Sequence, residues 1–173
     1  MLTTAEGAQR LNDNATGLEP GDGVEVDRPD GGSASVTAVR ADHGPPEVAP
    51  KNGPVIGFIV RGDDLPSLYV SGDNASVDVV REIVAEHSPI DVAVLFVGGA
   101  QVPEAWGNVF LTLSAEGAVE AARALGDAPI VPIHQDGWAH FTSSPDDLRV
   151  AFERAGLSDR LRLVEPGGQV VLQ

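Results

Sequence analysis

The sequence predicts an α/β fold: a mixed sheet carrying about three helices. Strand-like runs, apolar or alternating, fall at 24–26, 34–39, 55–61, 67–71, 90–97 and 128–134. Up to residue 71 these runs fall into two hairpins, 24–26 with 34–39 and 55–61 with 67–71. Beyond Asp73 each is followed by a stretch of helical spacing, the alternation that builds α/β units.

Taken in order, Thr3-Thr4-Ala5-Glu6 reads as an N-cap with a carboxylate in the first turn, opening a short helix to Leu11 that Asn12-Asp13-Asn14 breaks. Leu18 to Gly23 is a turn, and 24–26 and 34–39 are strands joined by the hairpin loop Pro29-Asp30-Gly31-Gly32. Residues 45–54, rich in proline, read as an irregular surface excursion. The run 55–61 is mostly apolar and is expected to be buried on both faces, pairing antiparallel with 67–71 across Gly62-Asp63-Asp64-Leu65-Pro66.

Val77, Val80, Ile83 and Val84 recur at helical spacing behind an Asn74 or Ser76 cap, and that helix stops near His87-Ser88-Pro89. The most apolar run, 90–97, is placed at the sheet centre and ends in Gly98-Gly99. A loop with Trp106 and Asn108 leads to an alanine-rich helix opened by Thr112-Leu113-Ser114-Ala115-Glu116 and reaching about Leu125. The run 128–134 carries two prolines and is placed near a sheet edge. A last helix starts at Ser144-Pro145, where proline suits the first turn, and stops at Gly156. Two short final strands, 161–164 and 169–172, flank Pro166-Gly167-Gly168.

With 173 residues, 42% of them hydrophobic, the chain has room for one domain with a proper core. No apolar run is long enough to span a bilayer, and the opening Met-Leu-Thr-Thr-Ala-Glu lacks the basic and apolar regions of a secretion signal, so a cytoplasmic location is expected. Twenty-six acidic against 11 basic residues give a formal charge of −15, which repels nucleic acid and anionic membranes and argues against both as partners. There is no cysteine, so any metal must be held by nitrogen and oxygen.

Three residues stand out as potential ligands. Asp73 ends a strand-like run at Ser71-Gly72-Asp73-Asn74, the C-terminal edge where α/β sheets present ligands. His43 and His134 also follow strand-like runs, so one carboxylate and two imidazoles can converge on a metal ion. Asp73 and His43 have plainer readings, as a turn residue and as a loop residue beside Gly-Pro-Pro; His134 is the stronger candidate, because a histidine ending an apolar strand must find a partner. His87 reads as a helix-end residue favoured by the dipole. Trp138 and His140, with Phe141, form an aromatic loop that can line a substrate pocket.

His43-Gly44 after a strand, Tyr69-Val70-Ser71-Gly72-Asp73, Pro132-Ile133-His134 and Glu165-Pro166-Gly167, in that order, resemble the C-terminal half of the metallo-β-lactamase superfamily. The likeness is greatest to its ascorbate-6-phosphate lactonase-like branch. The resemblance implies half of a four-layer αββα sandwich and a metal-dependent hydrolase. It implies His43 as ligand of a first metal, Asp73 as the carboxylate bridging two, and His134 as ligand of the second. Zinc is the usual ion, with manganese or iron in some relatives, lowering the pKa of a bound water and polarising a carbonyl or phosphoryl oxygen of a small-molecule substrate.

The family's His-x-His-x-Asp-His signature is absent: the four histidines are His43, His87, His134 and His140, and no pair has its spacing. The expectation is therefore a partial domain, incomplete and inactive on its own, with one or two ions or none in this chain alone. The alternative is a non-catalytic half-domain acting through homo- or hetero-association, since half of such a sandwich leaves an apolar sheet face in water. A nucleotide-binding α/β domain is a third class, hinted at by Gly98-Gly99 but without a G-x-G-x-x-G or Walker pattern.

Overall fold

The structure, a computed structural model, describes residues 1–11, 14–29 and 31–171. A short parallel pair, β1 (Leu2–Thr4) and β2 (Thr16–Leu18), brackets helix α1 (Ala5–Leu11). The Thr4 hydroxyl accepts from Gly7 N at 3.1 Å, which is the cap the sequence predicts. The β1–β2 pairing is new, because three-residue strands carry too little alternation to be read. Of the expected helix breaker, Asn12 and Asp13 lie outside the described residues, as do Asp30 of the hairpin loop and Leu172 of the last expected strand.

The main sheet has six strands in the order β3 (Gly23–Asp27), β4 (Ser33–Arg40), β5 (Ile56–Gly62), β6 (Leu68–Val70), β7 (Val92–Phe96) and β8 (Ile130–Ile133). The first four run antiparallel to one another in succession, while β6, β7 and β8 are mutually parallel, joined by helical crossovers. β7 thus lies second from the edge rather than at the centre, because only β8 is added beyond it. Pro132 sits on the edge strand, as expected for a residue without an amide donor.

Among the described residues there are six helices rather than about three, but only three are long. These are α3 (Val77–His87), α5 (Ala115–Ala124) and α6 (Pro145–Arg154). Each starts on a serine whose hydroxyl accepts an amide from the first turn: Ser76 from Val79, Ser114 from Gly117 and Ser144 from Asp147. The shorter α2 (Ala49–Asn52) and α4 (Pro103–Trp106), each one turn long with proline in the first turn, fall in segments expected to be irregular loops.

The long helices bury Val79, Val80, Ile83, Val119, Leu148 and Phe152 against one face of the sheet, whose own contribution includes Ile59, Tyr69, Leu95 and Ile130. Alanines 115, 118, 121 and 122 are buried on α5 and let it approach closely. The other face of β5 departs from expectation. Only Gly57 and Ile59 are buried along the strand, whereas Ile56, Phe58 and Val60 stay half-exposed. Residues paired across the strands share a face, so Phe58, Val70 and Val94 form one row of that second face and Val60 and Leu68 start another. None of these five belongs to the helix-side core.

Among the described residues the two final strands do not form. Leu161 makes a single parallel bridge to Ile130, and Pro166-Gly167 folds back through a Gly168 N to Glu165 O bond of 2.8 Å. β8 is short, and its outer edge offers that tail one ladder position only.

Candidate metal centre

Asp73 leaves β6 through a tight turn at Gly72, whose φ of +58° is left-handed. The turn is stitched to β7: Ser71 Oγ accepts from Phe96 N at 3.0 Å and donates to Gly72 O at 2.8 Å. His134 follows β8 with φ +55°, the left-handed region, which histidine tolerates better than most residues. Its ring stacks on Phe96 (centroids 5.1 Å) and meets the edge of Phe141 (4.8 Å). Close backbone approach requires a glycine at 98, because a Cβ there would collide with the His134 carbonyl oxygen and the Phe141 ring.

These constraints bring His134 Nε2 to 3.5 Å from Asp73 Oδ1. At that distance the contact is too long for a good hydrogen bond, and Asp73 Oδ1 is buried without a donor. His43 sits on the loop after β4, its carbonyl oxygen held by Asn52 Nδ2 at 3.0 Å, and its Nδ1 is likewise buried without a partner. Burial holds the His43 imidazole below its ordinary pKa; Asp73 opposes that and His134 adds to it, so His43 feels both of the other residues. The neutral imidazole this favours is the form that ligates metal.

Of the three sequence-predicted ligands, Asp73 and His134 are brought together, while His43 lies near enough for both to act electrostatically on its imidazole. As placed, no group of three or more histidine, aspartate or glutamate side chains among the described residues is closed tightly enough to hold an ion. The donor chemistry fits a divalent metal nonetheless: two imidazoles and a carboxylate, with a nitrogen and an oxygen buried and unsatisfied where a cation would satisfy them. The set is a partial one.

His140 and Trp138 lie one ring further out, His140 against Phe141 (4.8 Å) and Trp138 beside His140 (5.7 Å). Trp138 is 65% exposed. A cavity of about 350 Å³ opens on Asp73 between Phe58, Val70, Phe96 and Leu2. A larger cleft of about 630 Å³, lined by Arg40, Asp42, Ser76 and Phe110, includes none of the three ligand candidates. His87 ends α3 as expected, but Ser88 makes the cap bond, donating to Val84 O.

Sequence reasoning missed Asn74, which is fully buried under this site, and the Phe96 stack on His134. An asparagine after Gly-Asp reads as one more turn residue, and nothing local shows what it reaches.

The family described as beta-lactamase superfamily domain matches residues 2–135. A metal-dependent hydrolase of Methanoculleus marisnigri is 30% identical over 68% of this chain and 47% of its own length. One of Anaeromyxobacter dehalogenans is 24% identical over 80% of this chain and 48% of its own. The chain thus spans about half the length of the curated relatives it matches. Among solved structures, one described as a possible metal-dependent hydrolase from Veillonella parvula superposes with TM-score 0.81 at 17% identity, covering 99% of this chain and 66% of that one. Isothiocyanate hydrolase from Delia radicum gut bacteria gives 0.79 at 20% identity, covering 98% and 67%. These likenesses show a common fold, and with most of its length matched by the family profile, the chain belongs to the β-lactamase superfamily.

Proposed function

We propose that this chain is the metal-binding part of a metal-dependent hydrolase, with Asp73, His134 and His43 as its contribution to the ligand set and zinc, manganese or iron as the ion. The observation that carries the reading is the buried, donorless Asp73 Oδ1 beside His134, with a second unpartnered donor atom, His43 Nδ1, buried on the loop after β4. A bound ion of this kind supplies Lewis-acid polarisation and a nucleophile near neutral pH. The chain's own residues do the rest. The left-handed turns at Gly72 and His134 aim two ligands, Phe96 and Phe141 hold the imidazole, and His140 and Trp138 offer a rim for a small substrate. The ascorbate-6-phosphate lactonase-like branch is the finer assignment. No His-x-His-x-Asp-His lies within the sequence, so the proposal covers these three ligands alone.

The test is elemental analysis of purified protein. Near-stoichiometric zinc, manganese or iron in the wild type, lost in Asp73→Ala and His134→Ala, supports the reading. A wild type that stays metal-free after incubation with each ion and gel filtration sinks it.

A second reading concerns association and rests on the half-exposed apolar row Phe58, Val70 and Val94. In it, a second copy covers this face. Each copy carries −15, so pairing should strengthen as salt screens the repulsion. Light scattering at micromolar concentration and 0.15 M salt is expected to give twice the 17.9 kDa chain mass, and a monodisperse monomer there would remove the idea.

A further inference from the structure

We infer that Asn74 is a positioning residue for the metal centre: it clamps the loop that carries His43 onto the turn that carries Asp73. This rests on the metal reading above. Asn74 has no exposed surface, and every polar group of its side chain and backbone is used. Its Oδ1 accepts from Ser76 N at 3.2 Å, and its Nδ2 donates to Ser76 O at 2.8 Å. Those two bonds, with Asn74 N to Gly72 O at 2.8 Å, shape the turn just after Asp73.

The same Oδ1 also accepts from Asp42 N at 3.1 Å, a residue 32 positions away and adjacent to His43. Ala75 N closes a second link to Asp42 O at 2.8 Å. From the other side, Leu113 N donates to Asn74 O at 3.0 Å, fixing the turn to the core below α5. The loop bearing Asp42 and His43 and the turn bearing Asp73 are therefore joined by the Asn74 side chain together with the Ala75–Asp42 backbone bond. The remaining grips on the Asp42-His43 loop are weaker candidates for this task. Arg40 pairs with Asp42 at the surface, and Asn52 holds only the His43 carbonyl oxygen.

Outer-shell partners that orient ligands are worth about 10–100-fold in metal affinity, and loss of the clamp should fall in that range. The variants are Asn74→Ala, which removes every side-chain bond, and Asn74→Ser. The hydroxyl of the latter can still accept from Ser76 N across the turn but is too short to reach Asp42 N as well.

Two readouts are needed. In metal-free protein, amide exchange at Asp42 is expected to quicken roughly tenfold or more in both variants while the β5 and β6 amides keep their protection. In protein titrated with Zn(II), ring ¹⁵N shifts of His43 should move in the wild type and not in the variants. Those of His134 should move in all three, with Co(II) affinity lower by the factor above.

A purely structural asparagine would lower the melting temperature yet leave His43 in the shell of the protein that remains folded. Wild-type Asp42 exchange in Asn74→Ser, or unchanged Co(II) affinity with His43 still shifted by Zn(II), overturns the inference. A wild type that binds neither ion fails the metal reading instead, and the exchange arm still decides whether Asn74 holds the loop.

Discussion

Gly72→Ala is expected to lower stability by about 2–5 kcal/mol, combining the cost of a left-handed backbone on an L-residue with that of forcing a methyl group into filled space. Position 72 has φ +58°, and a Cβ there would run into the carbonyl oxygen of Ile56 on the neighbouring strand. Ile56 cannot give way easily, because it belongs to β5, which is paired with both β4 and β6. In a chain of this length each kcal/mol moves the melting temperature by about 2–4 °C, so a fall of roughly 10 °C should appear by calorimetry. Gly126→Ala is the control. That glycine is also left-handed, φ +65°, but a Cβ there meets nothing within 4 Å, so its cost is about 1 kcal/mol of backbone strain. Equal effects at 72 and 126 would show that the close approach to Ile56 carries no energy. Because Gly72 also aims Asp73, the surviving folded fraction of Gly72→Ala is expected to lose metal as well.

The second large effect is linkage between metal and stability. An ion that binds only the folded chain, present at a hundred times its Kd, stabilises by about 2.7 kcal/mol, or roughly 5–11 °C for a domain of this size. Wild-type protein in zinc should show that rise over protein in EDTA. His134→Asn should abolish it; asparagine also accepts the left-handed conformation at 134, so the metal-free protein loses only the two ring contacts, about 1–3 kcal/mol. Asp73→Ala should abolish it too and relieve a buried, donorless oxygen. A zinc-induced rise that persists in both variants would move the ion elsewhere on the surface.

Those substitutions address residues that the linear pattern already pointed to, and the reason is local. Gly-Asp after an alternating run and Ile-His after an apolar one each describe a strand and the turn at its end, and such information sits within a few residues. The same holds for the serine caps of α3, α5 and α6, and for Pro132 on an edge strand. The misreadings share the opposite property. Whether 55–61 is covered on one face or two depends on the elements that pack there, and the apolar run itself reads alike in either case. Residues 161–164 have strand-like composition but little edge to pair with.

What the sequence determined alone is the succession of β3 to β8 with the three long helices, the turns at Gly72-Asp73 and Gly98-Gly99, and the choice of three ligand candidates, because each arises from backbone preferences and periodicity over short windows. Tertiary structure decided that His134 comes to 3.5 Å from Asp73, that Phe96 and Phe141 hold the ring, and that Asn74 joins two loops 32 residues apart. Those facts depend on strand order and on which side chains the parallel crossovers bring side by side, and contacts between residues distant along the chain exist only once the sheet has closed around them.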